Sequence, residues 1–316
     1  MFPWQQKQWQ QLLRLKQENC LPHALLLTGI AGTGKAIFAD SFSRLLLCQN
    51  NNCNTCHHCR LIAGRAHPNV LWIEPEKPGH AIKVDQIRYV NEFINQSGLQ
   101  GDYRLVIIHP ANAMNANAAN ALLKTLEEPS ANAILMLISD QSQRLPATII
   151  SRCQRMLFPP PKQEEALAWL KQQPIDAAID LELLLKLANG APLAAMKLMK
   201  DDLLSQRQAL FQQGDPIKLA AKMQEMDLLQ LIDFILSWVM DLLRLQVGDD
   251  GSRIINQDYK KQLMQAAQQT ELSSSTKFID YLQQLRGEIN RGINLNKQLT
   301  IENILIKWIG CTNVSR

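Results

Sequence analysis

The residues with the clearest chemical meaning form one glycine-rich segment, Gly29-Ile30-Ala31-Gly32-Thr33-Gly34-Lys35-Ala36. It nearly matches the pattern G-x-x-x-x-G-K-[ST], in which backbone N–H groups surround phosphates and the lysine reaches the terminal phosphates. The final hydroxyl, which would hold Mg²⁺, is missing because position 36 is alanine. The pattern therefore predicts a degenerate phosphate loop with weak or no nucleotide binding, built on Gly29, Gly32, Gly34 and Lys35.

A second Mg²⁺ ligand, usually an acid that follows a neighbouring apolar strand, is also missing. The candidate strand is Leu105–Ile108, and His109 and Pro110 follow it where an Asp-Glu pair would be expected. A neutral imidazole is a poor ligand for a hard cation that prefers oxygen, so we interpret His109 as a polar strand end. Phosphoryl transfer depends on metal and charge positioning, and we therefore expect no Mg²⁺-dependent hydrolysis.

A cluster of four cysteines within twelve residues forms the second candidate site. Two consecutive C-x₂-C spacings and a fourth thiol upstream are typical of a zinc site. A ferredoxin-type iron–sulfur cluster is the main alternative, but it needs a further cysteine where the chain has Ala63. His57 and His58 could serve as ligands instead, although we expect them to be solvated. The predicted metal is a structural zinc, held by Cys48, Cys53, Cys56 and Cys59.

Hydrophobic periodicity predicts the elements that carry these residues. Leu25–Leu27 is a short apolar run typical of a buried strand, and the apolar residues after the glycine loop repeat at helical spacing. Further segments follow in alternation: predicted helices over Lys83–Gln96 and Asn115–Glu128, and a predicted strand over Ala133–Ser139. Alternating strands and helices around a phosphate loop predict an α/β domain whose parallel sheet is covered on both faces.

Composition limits the other function classes. The 316 residues are 46% hydrophobic and carry a net charge of +4, which permits nucleic-acid contact without demanding it. The N-terminal residues do not resemble a signal peptide, so we expect a cytoplasmic protein. The longest apolar run, Leu228–Val247, carries polar residues spaced three or four apart at positions 230, 233, 237, 241 and 244, so it is predicted to be a buried helix with one polar face and no membrane span.

Two further motifs carry a resemblance to a known family. Asn117–Pro129, which contains the run Leu-Leu-Lys-Thr-Leu-Glu-Glu-Pro, and the later Ser151-Arg152-Cys153 resemble the bacterial clamp-loader branch of the AAA+ ATPases. The four-cysteine insertion after the phosphate-loop helix is similar to that of the same branch. The resemblance is strong over residues 20–160 and only architectural beyond. It implies an AAA+ domain with a zinc module, a small helical lid and a C-terminal helical collar.

The resemblance also implies residue roles and partners. Arg152 matches an arginine finger that acts in trans on the ATP of a neighbouring subunit. Asn189–Ala194 matches the start of a lid helix, where ATPases of the family carry a sensor arginine that this chain lacks. The implied partners are clamp-loader subunits of the tau/gamma and delta types in a hetero-oligomer and, through that assembly, the beta sliding clamp and primed DNA. The implied context is a replicative DNA polymerase (nucleotidyltransferase) holoenzyme.

Breaks in the helical pattern predict three domains. Pro159–Pro161 and Gly214–Pro216 interrupt the chain, and we predict an AAA+ domain over 1–160, a lid over 161–208 and a collar over 209–316. Helices in the last two are predicted over Gln163–Gln172, Leu181–Ala188, Leu193–Lys200, Asp227–Val247, Tyr259–Gln269, Lys277–Arg291 behind a cap at Ser273–Ser275, and Thr300–Ile309.

These observations predict a non-hydrolysing clamp-loader subunit that acts as a stator. One alternative is an active ATPase of the tau/gamma type, which requires a hydroxyl at position 36 and acids near position 109. The other is a zinc-dependent DNA-binding protein with a vestigial phosphate loop, which requires a basic face that the small net charge does not indicate.

Overall fold

The computed structural model describes residues 1–49, 52–77, 79–95, 103–176, 179–200, 203–211, 215–290, 293 and 295–311. The chain divides into two compact units, residues 1–165 and 166–316. Predicted helix ends at Gln96 and Arg291, and the predicted break residue Gly214, lie outside the described residues. Among the described helices, none is both long and apolar enough to cross a membrane.

The first unit is built on a parallel sheet, as the alternating pattern predicts. The described strands are β1 (Ala24–Thr28), β2 (Val70–Ile73), β3 (Arg104–Ile108), β4 (Ala133–Ser139) and β5 (Gln154–Leu157), in the order β2-β3-β4-β1-β5. The helices are α1 (Gln6–Gln17), α2 (Lys35–Leu47), α3 (His57–Ala63), α4 (Val84–Asn95), α5 (Ala116–Glu127) and α6 (Ala147–Ile150). β1 and β4 lie side by side at the centre, so their carboxyl ends bring the phosphate loop and Asp140 to one edge.

Both faces of this sheet are buried. Along β1, Leu25 and Leu27 pack with Phe38 of α2 on one face, whereas Leu26 packs on the other face with residues of α4 and α5 such as Ile87 and Leu122. Successive strand residues point to opposite faces, and the continuous apolar runs therefore reflect cover on both sides. The predicted fold class is confirmed.

The second unit is helical in its described residues. Its helices are α7 (Gln163–Leu170), which begins just before the unit boundary, α8 (Leu181–Leu187), α9 (Pro192–Lys200), α10 (Leu203–Phe211), α11 (Pro216–Lys222), α12 (Leu228–Gln246), α13 (Lys260–Gln269), α14 (Leu272–Asn290) and α15 (Lys297–Cys311). Buried residues on both sides of the predicted lid–collar boundary, including Leu185 and Trp238, belong to one hydrophobic core. The division of this unit into lid and collar therefore stays a prediction.

Two local predictions for this unit were wrong. Ser273–Ser275 do not cap α14 but lie inside it, because the helix begins at Leu272. The carbonyl oxygen of Glu271, one residue before the helix, already accepts a hydrogen bond from the Ser274 N–H. The polar residues of α12 do not share one solvent face. Asp241 is fully buried, and its carboxylate accepts hydrogen bonds from the backbone N–H groups of Ile255 and Asn256.

Candidate functional site

The phosphate loop lies where the sequence predicts it, between β1 and α2. Its glycines take backbone conformations that side chains rarely adopt: φ is +145° at Gly29, +82° at Gly32 and +86° at Gly34. A Cβ added at Gly29 would lie 2.1 Å from the carbonyl oxygen of Phe158. The glycines therefore serve close packing of the loop against the chain itself, whether or not a phosphate binds.

The lysine of this loop is turned into the protein. Lys35 has only 3% of its side chain exposed, and its Nζ lies 2.6 Å from the Asp140 carboxylate. The same ammonium donates to the carbonyl oxygens of Gly29 at 2.8 Å and Ile30 at 2.7 Å. An ammonium has three protons to donate, and these three contacts use all of them. The charge that would meet a terminal phosphate is thus neutralised inside the loop.

The N-terminal residues cover the loop from outside. Trp4 Nε1 donates to the carbonyl oxygen of Thr33 at 3.0 Å, and Gln5 Nε2 donates to the carbonyl oxygens of Thr33 and Gly34, both at 3.0 Å. The Phe2 ring lies so close that a Cβ at Gly34 would be 2.6 Å from it. Thr33 and Gln5 are both fully buried as a result. These residues, Phe2–Gln5, form an N-terminal cover that packs on the loop at Thr33 and Gly34.

Ala36 and His109 stand at the two positions where the sequence lacks a Mg²⁺ ligand. Ala36, in the first turn of α2, packs against the apolar cluster around Phe38. His109 follows β3, as predicted for a polar strand end, and its Nδ1 lies 3.6 Å from the Glu74 carboxylate. Neither position offers the oxygen ligand that a hydrolysing site of this class uses.

The four cysteines converge as their spacing predicts. Cys48 is the residue after α2, Cys56 precedes α3, and Cys59 lies within α3. Asn52 and Asn54, with φ of +62° and +60°, turn the chain on either side of Cys53; Asn50 and Asn51 lie outside the described residues.

The donor set fits one tetrahedral zinc ion. All four sulfur atoms lie within 4.8 Å of one another, and Cys48 Sγ is 3.6 Å from Cys53 Sγ and 3.7 Å from Cys56 Sγ. Four thiolates at about 2.3 Å from a zinc ion would be separated by about 3.8 Å. The backbone N–H of Cys56 donates to Cys53 Sγ, and the backbone N–H of Cys59 donates to Cys56 Sγ.

The protein environment treats these thiols unequally. Hydrogen bonds, chiefly from Thr55, lower the pKa of the Cys53 thiol to about 6, and burial raises the pKa of Cys59 to about 12. The prediction that His58 is solvated was wrong: its Nδ1 forms a 2.9 Å hydrogen bond with Nε2 of the buried His67, and His57 remains exposed.

Arg152 follows α6 and keeps about a third of its side chain exposed. Its guanidinium lies 2.6 Å from the Glu127 carboxylate and donates to the Thr148 carbonyl oxygen at 2.9 Å. It is therefore half-accessible and held by its own subunit. Asn189, just before α9, has a positive φ of +52°. Pro192 is the first residue of α9, in the stretch where the resemblance places a sensor arginine that this chain lacks.

Sequence reasoning missed the partners of Lys35. Asp140 directly follows β4, and its place at the carboxyl end of a central strand was the available signal. No signal in the sequence linked Trp4 or Gln5 to a loop almost thirty residues away.

Comparison with known proteins agrees with this architecture. A family model described as "DNA polymerase III, delta subunit" matches residues 4–162, and a second, "DNA polymerase III, delta subunit, C terminal", matches residues 199–310. The chain is 36% identical to the DNA polymerase III subunit delta' of Pseudomonas aeruginosa over 98% of its length and 97% of the relative. It is 28% identical to that of Escherichia coli, over 97% and 94%.

A solved structure, a gamma subunit-related protein of Thermotoga maritima, aligns over 96% of this chain and 99% of its own, with 23% identity and a TM-score of 0.49. The identities to the delta' relatives extend over nearly the whole chain, and both family models fall within it in the expected order. This chain belongs to the delta' subunit family of DNA polymerase III.

Proposed function

We propose that this chain is a non-hydrolysing subunit of a clamp loader, where it helps to place a sliding clamp on primed DNA during replication. Its partners would be tau/gamma-type and delta-type subunits of a hetero-oligomer in the cytoplasm, and through them the beta clamp. Membership of the delta' family supports this assignment. The observation that carries the non-hydrolysing role is the internal neutralisation of Lys35 by Asp140 and two backbone carbonyls.

Several features of the loop support the absence of hydrolysis. A triphosphate would have to displace Asp140 from Lys35 and lift the N-terminal cover, which is held by three hydrogen bonds from Trp4 and Gln5. At about 0.5–1.5 kcal/mol per hydrogen bond, lifting the cover alone would weaken nucleotide binding by roughly ten- to a thousandfold. A bound triphosphate would still lack the hydroxyl and carboxylate that position Mg²⁺.

The positive contribution to catalysis would come from Arg152. A guanidinium placed beside the γ-phosphate of a neighbouring subunit stabilises the charge that develops in the transition state, an effect of about 10³–10⁵ in rate in related hydrolases. The partial exposure of Arg152, in contrast to the burial of Lys35, supports action across a subunit boundary. Zinc bound by the four cysteines would hold the excursion between α2 and β2, and four thiolates would leave it no open position for catalysis.

Nucleotide titration of the isolated chain tests the first part. Isothermal titration with ATP, with and without Mg²⁺, should show no binding tighter than millimolar and no gain from Mg²⁺. Steady ATP hydrolysis by the chain alone, or micromolar affinity that improves with Mg²⁺, would contradict the proposal.

Substitution of Arg152 tests the second part in the reconstituted clamp loader. Arg152→Ala should lower DNA-stimulated ATP turnover at least tenfold while the complex still assembles. Arg155→Ala is the matched control. Arg155 lies three residues further along the chain and is exposed, and its substitution removes the same charge. Equal turnover for the two variants would exclude Arg152 as the finger.

A further inference from the structure

The contact between Arg152 and Glu127 gives the proposed finger a second state. Nη2 of Arg152 lies 2.6 Å from Oε1 of Glu127, whereas Nη1 donates to the Thr148 carbonyl oxygen at 2.9 Å. The two contacts use different nitrogen atoms. Loss of the carboxylate contact therefore leaves the carbonyl contact in place, and the guanidinium would remain near its present position with one face freed.

Glu127 occupies an unfavourable place for a carboxylate. It is the last residue of α5, where the helix dipole is negative and favours cations. Arg152 supplies the compensating charge from the turn after α6. Both side chains are substantially exposed, 35% for Arg152 and 49% for Glu127, so the attraction is weakened by water. The ion pair is strong enough to favour the position of the Arg152 guanidinium beside Glu127, and weak enough for a competing anion to break it.

We propose that Glu127 is a positioning residue that acts as a latch: it holds Arg152 on its own subunit until the γ-phosphate of a neighbouring nucleotide replaces the carboxylate. This inference rests on the proposed trans role of Arg152. The carboxylate and the phosphate compete for one guanidinium. A phosphate carries more negative charge and more acceptor oxygens than a carboxylate, so it wins when triphosphate is present and leaves Arg152 latched when it is not.

The latch lowers the fraction of subunits whose finger is free, and the apparent affinity of the neighbouring site falls by that fraction. An exposed ion pair of this kind biases the equilibrium by a factor of about 1.5 to 5. Glu127→Gln keeps the shape of the side chain and removes its charge. In the reconstituted clamp loader, it should raise kcat/KM for ATP by about 1.5- to 5-fold relative to the unsubstituted complex. The maximal rate should not fall, because saturating ATP opens the latch in both proteins.

Glu128→Gln is the matched control. Glu128 is the next residue, is exposed and makes no ion pair among the described residues. The Glu128→Gln substitution therefore removes the same charge from the same helix end and leaves the Arg152 contact intact. It should leave kcat/KM within the error of the unsubstituted complex. In an Arg152→Ala background, Glu127→Gln should have no effect of its own. The gain from Glu127→Gln should also shrink as salt concentration rises, because screening opens the latch in the unsubstituted protein.

Each result separates the latch from the finger. A lower kcat or kcat/KM for Glu127→Gln, or equal values for Glu127→Gln and Glu128→Gln, would overturn the latch even if Arg152→Ala abolishes turnover. Retention of the Glu127→Gln effect in the Arg152→Ala background would also overturn it, since the effect would then not pass through the guanidinium. Unchanged turnover for Arg152→Ala alone would overturn the proposed trans role of Arg152, on which the latch rests.

Discussion

Gln5 is the central contact of the N-terminal cover, and its loss should be felt across the phosphate loop. The side chain is fully buried. Its Nε2 donates to the carbonyl oxygens of Thr33 and Gly34, and its Oε1 accepts from the Phe2 N–H at 3.1 Å. Gln5→Ala removes all three hydrogen bonds and leaves a small void against the loop.

The loss of stability depends on which hydrogen bonds the Thr33 and Gly34 carbonyl oxygens keep after the substitution. The Thr33 carbonyl keeps Trp4 Nε1 as a donor, and the Gly34 carbonyl keeps the Phe38 N–H of α2, so neither is left without a partner. The loss is then the net value of the hydrogen bonds, about 0.5–1.5 kcal/mol each, and not the larger cost of bare buried groups. We expect Gln5→Ala to lower the free energy of opening of this region by about 2–3 kcal/mol.

Amide hydrogen exchange is the suitable assay, because a chain of two units need not unfold in one step. Exchange should accelerate by roughly thirty- to a hundredfold or more in peptides from the loop and the first turn of α2, as expected for about 2–3 kcal/mol. Gln6→Ala is the control, since Gln6 is exposed and should change exchange by less than about 0.5 kcal/mol. Equal exchange in the two variants would refute the anchoring role of Gln5 and, with it, the covered loop.

Three other perturbations test separate parts of the structure. Chelation of zinc, or Cys53→Ser, should remove about one zinc per chain by elemental analysis and expose residues 48–63 to protease, and iron in the pure protein would contradict the assignment. Gly29→Ala should destabilise the first unit by at least about 2 kcal/mol through its clash with Phe158, whereas Gly287→Ala, which meets nothing within 4 Å in α14, should be neutral or stabilising by thermal denaturation. Asp241→Ala should cost the second unit at least about 2 kcal/mol by urea denaturation, because it leaves buried N–H groups without their acceptor; a loss below about 0.5 kcal/mol would show that water replaces it.

Patterns local in the sequence predicted what depends on local physics. β4 was predicted at Ala133–Ser139 and has those bounds, because a strand covered on both faces must be apolar throughout. α5 was predicted over Asn115–Glu128, and Asn115 does cap it by accepting from the Ala118 N–H. The four cysteines converge because short arcs between them allow little else.

What the sequence did not reveal depends on contacts between distant segments. β5 contains only one buried residue, Met156, so it lacks the apolar run that marks a central strand and was not predicted. The burial of Asp241 could not be separated from solvent exposure by spacing alone, because a helix face that meets a loop has the same period as one that meets water. A lone cysteine is most often a buried small residue, and Cys20 departs from this expectation because it lies exposed beyond the end of α1.

The placement of two cations connects the covered loop with the proposed role in trans. Lys35 would be the cation for a nucleotide bound to this chain, and it is 3% exposed and neutralised by a carboxylate and two carbonyls. Arg152 would be the cation for a nucleotide bound elsewhere, and it is 35% exposed and held by one carbonyl oxygen and one carboxylate that is itself half in water. Coulomb attraction is several-fold stronger in the interior than at the surface, so an anion arriving from outside can recruit Arg152 far more readily than Lys35. The more accessible of the two cations is therefore the one to which the proposal assigns a role in trans.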